Sequence, residues 1–251
     1  MPTVTISGQL IYFAHCPKAA GSTVEDYLAA RFGKIGLLDR RWNISWRERG
    51  GRRNFESLNS PQHMVWDEAA RTLPAAPDHV FSVVRDPLSR MKSEYAYLRG
   101  RPRRRVLLFL LTRLGFSIWL RIFLQIASAR PHFMDNHFRP QTDFLPPETV
   151  VFRMEDGLDH LVAWLDSIAG AEDPSLKLPH SLKSKQVPVQ IEPTQHDLDL
   201  IRIHFLRDYE EFGYDIPNFE YLSKDRMTRW KNALAKVVAP VLGILYDRGK
   251  F

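Results

Sequence analysis

The chain has 251 residues, 35 Lys and Arg against 29 Asp and Glu, a formal net charge of +6 and one cysteine. Its 44% hydrophobic and 25% charged content is ordinary for a globular protein and excludes a disordered or collagen-like chain. One cysteine excludes an intramolecular disulfide and any multi-cysteine zinc or iron–sulfur site, and fits a reducing compartment.

The charge is local. Residues 99–105 read RGRPRRR, and removing those five arginines from +6 leaves +1. The N-terminus lacks the pattern of a secretory signal. The most apolar stretch, 106–127, is interrupted by Arg113 and Arg121, whereas a spanning helix needs about 20 mostly apolar residues with few charges. The apolar tail 237–246 is short and contains Pro240.

In chain order, residues 9–15 (QLIYFAH) predict a buried strand that ends in CPKAAGST. Val24, Tyr27, Leu28 and Phe32 recur at helical spacing. Residues 39–62 read as irregular, 64–73 as a short helix and 79–84 (HVFSVV) as a second strand. Asp86-Pro87 opens a helix with Leu88, Met91, Tyr95 and Leu98 on one apolar face. A third strand at 149–152, a helix at 158–168, a long loop at 170–193 and a helix at 197–209 complete the pattern. Strands alternating with helices predict an α/β fold with a central, mainly parallel sheet flanked by helices. With no repeat and no clear linker, one domain is expected over 1–251: a core at about 9–215, an arginine-rich and apolar insertion at 99–130 and a C-terminal helical tail at 216–251.

Strand, loop and helix around Lys18, Gly21, Ser22 and Thr23 hold the parts of an anion site. Backbone N–H groups at a helix N-terminus favour an anion, Gly21 lets the backbone come close, the hydroxyls donate and Lys18 adds a charge. The alternative is an ordinary turn capped by Ser22. The nucleoside-triphosphatase pattern G-x-x-x-x-G-K-[ST] is absent, because Lys18 precedes the glycine. This weighs against a nucleotide kinase or nucleotide-phosphate hydrolase. The G-x-G-x-x-G pattern of dinucleotide sites is absent too. The strand at 79–84 delivers Arg85 to the carboxyl edge of the sheet, where open α/β sheets bind ligands. Arg85 and Ser93 could hold one phosphate from two directions, with the Arg fork making charge-assisted bonds.

PKAAGST followed by VVRDPLSRMKSEY resembles the sulfotransferase superfamily, whose donor is 3′-phosphoadenosine 5′-phosphosulfate (PAPS). HFRPQTDFL at 137–145, FRMEDGL at 152–158 and RDYEEFGYD at 207–215 resemble segments of the Golgi-type carbohydrate sulfotransferases, in the same order. The resemblance spans roughly residues 9–215 and implies the sulfotransferase fold with its P-loop-like phosphate loop. It assigns Lys18, Ala20, Gly21, Ser22 and Thr23 to the 5′-phosphosulfate, and Arg85 and Ser93 to the 3′-phosphate. Lys183 and Lys185 fall where relatives close over the nucleotide; a solvated basic loop is the alternative. The Gly-rich C-terminal motif of the cytosolic small-molecule enzymes is missing. So are the anchor and cysteines of the Golgi enzymes, which fits a bacterial, cytoplasmic member.

The implied reaction moves a sulfuryl group from PAPS to a hydroxyl or amine of a glycan or other metabolite. It needs a base, cations for the developing charge, and alignment. Lys18 suits the leaving group. His63, in SPQHMVWDE, is the preferred base; it lies between the two PAPS motifs, where the similar heparan sulfate 2-O-sulfotransferases place a catalytic His. His137 is second, and Glu56 and Glu68 follow. No Asp/Glu/His spacing calls for a metal. The arginine cluster alone is weak evidence for nucleic acid, and no such partner is expected. Arginines beside the apolar 106–127 segment suggest a peripheral contact of 99–127 with an anionic inner membrane face, and with it a lipid-linked acceptor. The alternative is that this segment is core.

Overall fold

In the computed structural model, residues 2–33, 35–36, 60–100, 113, 115–173, 178, 190–216 and 226–247 are described. Their elements in chain order are β1 (Thr3–Ile6), β2 (Gln9–Phe13), α1 (Gly21–Phe32), α2 (Trp66–Thr72), β3 (His79–Val84), α3 (Pro87–Gly100), α4 (Phe116–Ala129), β4 (Val150–Arg153), α5 (Asp159–Ala169), α6 (Gln195–His204), α7 (Leu206–Glu211) and α8 (Arg226–Asp247). They group into two compact units. The first comprises residues 1–85, 135–137 and 141–183, and the second residues 86–134, 138–140 and 184–251.

The first unit is an open four-stranded sheet in the order β1-β2-β3-β4. The edge strand β1 pairs antiparallel with β2, while β2–β3 and β3–β4 are parallel. The α/β expectation and the three predicted strands hold, with β4 shifted by one residue. Sequence reasoning missed β1. It forms because Ser7 (φ 50°) and Gly8 (φ 84°) make a two-residue turn with both residues left-handed, the geometry that matches the twist of a hairpin.

Side chains alternate across β2 with the period of two that a strand imposes. Ile11 and Phe13 join Val24, Leu28, Phe81, Val83, Leu161 and Leu165 in one buried cluster under α1 and α5. Tyr12 and Ala14 point the other way, to Met64 and Ala69 beside α2. The sheet is therefore covered by helix on both faces, which is what the near-continuous apolar run of β2 requires. Arg31 in α1 ties to Asp166 in α5 by an ion pair and donates to the Tyr27 hydroxyl at 2.7 Å.

The second unit is helical. Tyr95, Phe116, Trp119, Phe123, Phe133 and Phe138 form a chain of ring contacts with centroids 5.1–5.7 Å apart. Helix α4 is buried along most of its circumference, Arg121 included. Helix α4 runs on through Arg121, whose charge is paired inside the fold. Its Nη1 meets Asp197 Oδ1 at 2.6 Å and the Ser117 carbonyl at 2.6 Å, and its Nε meets Asn232 Oδ1 at 2.9 Å. Asp197 also completes a capping box with Thr194 at the start of α6.

One expectation needs correction here. The helix predicted at 197–209 is two helices, α6 and α7, broken at Phe205 (φ −117°, ψ 26°). The break seats the fully buried Phe205 ring under the Arg90 guanidinium, 4.8 Å from its centroid. Pro240 does not end the C-terminal helix: α8 runs through it for 22 residues. Proline removes one N–H to a carbonyl four residues earlier. Pro240 and Lys236 are both exposed, so water can take that carbonyl. Among the described residues, no helix is long and apolar enough to cross a membrane.

Candidate functional site

The site is assembled in the first unit, at the carboxyl ends of β2 and β3. After β2 the chain makes a four-residue turn at 17–20 and enters α1 with Ala20 as its N-cap. Lys18 (φ 67°) and Ala20 (φ 64°) are both left-handed, which costs roughly 1–2 kcal/mol for each non-glycine residue. Strain of this kind gathers at ligand-holding loops. The Ala20 carbonyl accepts from Thr23 N at 3.0 Å and Val24 N at 3.2 Å. The earlier first-turn N–H groups, those of Gly21 and Ser22, have no partner inside the helix by construction. Ser22 is exposed and lies within α1, so the alternative of a Ser22 cap does not hold.

Gly21 is required for a reason the sequence did not give. A Cβ placed on it would overlap the His15 imidazole. His15 is buried just past β2, and its Nδ1 lies 2.6 Å from Glu25 Oε1 in α1. The ring is thus fixed by the helix it supports.

Arg85 leaves β3 with both backbone groups bonded to one side chain. Arg85 N donates to Gln141 Oε1 at 2.9 Å, and Gln141 Nε2 donates to the Arg85 carbonyl at 2.9 Å. Gln141, from the HFRPQTDFL segment, is fully buried and stands in for a neighbouring strand. The Arg85 guanidinium donates to the Lys18 carbonyl at 3.4 Å. This links the β3 end to the turn at 17–20. Cys16 is fully buried, 3.4 Å from Ser82 Oγ.

His63 ends a short 3-10 turn, Pro61–His63. It is buried; its Nδ1 lies 2.7 Å from Asp135 Oδ2. Ser60 donates to the same carboxylate through its N–H and its hydroxyl, at 2.6 Å each. Asn136 Nδ2 donates to the His63 carbonyl at 2.8 Å. Met134, Asp135 and Asn136 are three successive left-handed residues, a run that turns the chain sharply enough to present Asp135 and Asn136 to one histidine. The His63 ring lies edge-on between His15 and His137, each centroid 4.9 Å away.

Burial lowers the His63 pKa to about 4, against the pull of Asp135. His63 holds the Asp135 carboxyl well below the usual carboxylate range, although burial works in the opposite direction. The pair is neutral imidazole and carboxylate at neutral pH. With Nδ1–H donating to Asp135, Nε2 carries the lone pair.

No family model, curated protein or solved structure matches this chain.

The first unit therefore brings together Lys18, Ala20, Gly21, Ser22, Thr23, Arg85, His63 and His137. Ser93 is half-buried on α3, in the second unit. Lys183, Lys185, Glu56 and most of the arginine cluster lie outside the described residues. Residues 116–127 of the apolar stretch are in α4, largely buried. Sequence reasoning missed His15, Glu25, Asp135 and the anchoring role of Gln141. Asp135 had a signal: Asp and Asn tolerate left-handed backbone, and they stand side by side just before the HFRPQ segment.

Proposed function

We propose that this chain is a PAPS-dependent sulfotransferase that moves a sulfuryl group to a hydroxyl or amine of a glycan or other metabolite. The observation that carries this reading is a neutral histidine, His63, braced by a carboxylate and joined through His15 to a strained loop at a helix N-terminus. A base and an anion cradle in one unit are the two parts such a transfer needs.

In this reading His63 Nε2 takes the acceptor proton. The acceptor oxygen or nitrogen bonds to sulfur as the bond from sulfur to the bridging phosphate oxygen breaks, leaving 3′,5′-ADP. Lys18 and the first-turn N–H groups of α1 stabilise the leaving phosphate. Ser22 and Thr23 hold the 5′-phosphate, and Arg85 the 3′-phosphate. Asp135 keeps His63 in the useful tautomer and stabilises the imidazolium that forms, as a carboxylate does for histidine bases in general. Placing the enzyme in the cytoplasm is part of the same proposal.

The test is transfer of label from PAPS to a panel of glycans, lipids and phenols. Transfer to at least one acceptor, lost in Lys18→Ala, supports the reading. No transfer to any acceptor, together with no 3′,5′-ADP binding, refutes it.

A further inference from the structure

The sequence offers no metal-binding spacing, yet the fold assembles one. His63, Asp135 and His137 each present a ligating atom, and the three atoms lie within 4.8 Å of one another. Two imidazoles and a carboxylate are the donor set of mononuclear zinc and other first-row divalent sites with open positions. Metal–ligand bonds of about 2.0–2.2 Å place ligand atoms roughly 3.3 Å apart in a tetrahedron. The 2.7 Å between His63 Nδ1 and Asp135 Oδ2 is already close to one such edge. The backbone preforms the arrangement: Asp135 and His137 flank Asn136, whose side chain holds the His63 carbonyl, and Ser60 orients the Asp135 carboxylate. Metal sites need such outer contacts to fix their ligands.

We infer that His63, Asp135 and His137 form a binding site for a divalent transition ion, Zn²⁺ in the first instance. The ion takes the place of the proton between His63 Nδ1 and Asp135. That proton moves to Nε2, so the imidazole stays neutral and loses the lone pair on that nitrogen. Metal binding itself is independent of the sulfotransferase reading. Its consequence, that Zn²⁺ inhibits transfer by occupying the base, rests on that reading.

The experiment titrates ZnCl₂ alone, without donor or acceptor, into the full chain by calorimetry. Wild type is compared with Asp135→Asn, His137→Ala and His160→Ala, which removes an exposed histidine elsewhere in the same unit. Circular dichroism checks that each variant is folded. The expected result is one site per chain in wild type and His160→Ala, weakened about 10–100-fold or more in the other two. Absent one-to-one binding by wild type, or equal affinity in all four proteins, overturns the inference. Co²⁺ supplies a readout on wild type alone should a ligand variant not fold. Intense visible ligand-field bands are expected on binding; a spectrum unchanged from aqueous Co²⁺ overturns the inference. Loss of Zn²⁺ binding with transfer intact removes the metal site only, and Zn²⁺ binding without transfer removes the enzymatic reading only.

Discussion

His63 Nδ1 sits 2.7 Å from Asp135 Oδ2, across 72 residues of sequence. Burial keeps the imidazole neutral, and the carboxylate fixes which nitrogen carries the proton. In the proposed mechanism His63→Ala removes the base without changing any residue of the 17–20 turn. We predict a fall in kcat of about 10²–10⁴-fold, with 3′,5′-ADP binding preserved in calorimetry. Asp135→Asn should lower kcat less and shift the acid limb of the pH profile, because it changes the environment of the base without removing it. Near-normal turnover in His63→Ala would exclude it as base.

The same pair makes the protein sensitive to acid. The folded pKa of His63 is about 4, against about 6.5 unfolded. Between these values the unfolded chain binds the extra proton, so stability falls as pH drops from 6.5 to 4 and is insensitive to this group above 6.5. The full effect is about 3 kcal/mol. Asp135, whose folded pKa is lowered, contributes stability that is lost as pH falls below the normal carboxylate range. Urea unfolding at pH 7.5 and 5 should show the loss in wild type and a smaller one in His63→Gln. Equal losses would contradict the assignment.

His15 and Gly21 form a second testable contact. Gly21→Ala drives a methyl into the imidazole, and overpacking of this kind costs about 1–3 kcal/mol. The double variant His15→Ala/Gly21→Ala should be less destabilised than the sum of the singles, since the two sites are in contact. Strict additivity in urea unfolding would show that the ring does not oppose the methyl.

How much of this was legible in sequence depends on the range of the interaction. The strands at 79–84 and 149–152 and the helix after PKAAGST were readable because apolar spacing is a local signal. Lys18, Gly21, Arg85 and His63 were readable as motif residues. The partners were not: Asp135 reaches His63, and Gln141 reaches Arg85, only after the chain has crossed α3 and α4. The reason for Gly21 was likewise hidden, because His15 lies beneath it only once β2 and α1 have packed.

In the second unit, Arg121 and Asp197 are a fully enclosed ion pair, 3% and 0% exposed. Arg121→Met leaves a buried carboxylate without its partner, at about 3–5 kcal/mol. Among the described residues, the Asp197 carboxylate then retains its bonds to Ser117 Oγ and Thr194 N. The double variant Arg121→Met/Asp197→Leu should recover part of that loss in chemical unfolding. Failure to recover any would mean that the helix cap made by Asp197 outweighs the ion pair.

We propose that the 17–20 turn, the first turn of α1 and Arg85 bind a 3′-phosphoadenosine donor. Calorimetric titration of 3′,5′-ADP into wild type and Arg85→Ala tests it most directly, without knowledge of the acceptor. The prediction is saturable one-to-one binding by wild type, weakened at least tenfold in Arg85→Ala, about 1.4 kcal/mol or more. Wild type that does not bind 3′,5′-ADP, or that binds it no better than the Arg85→Ala protein, would contradict it.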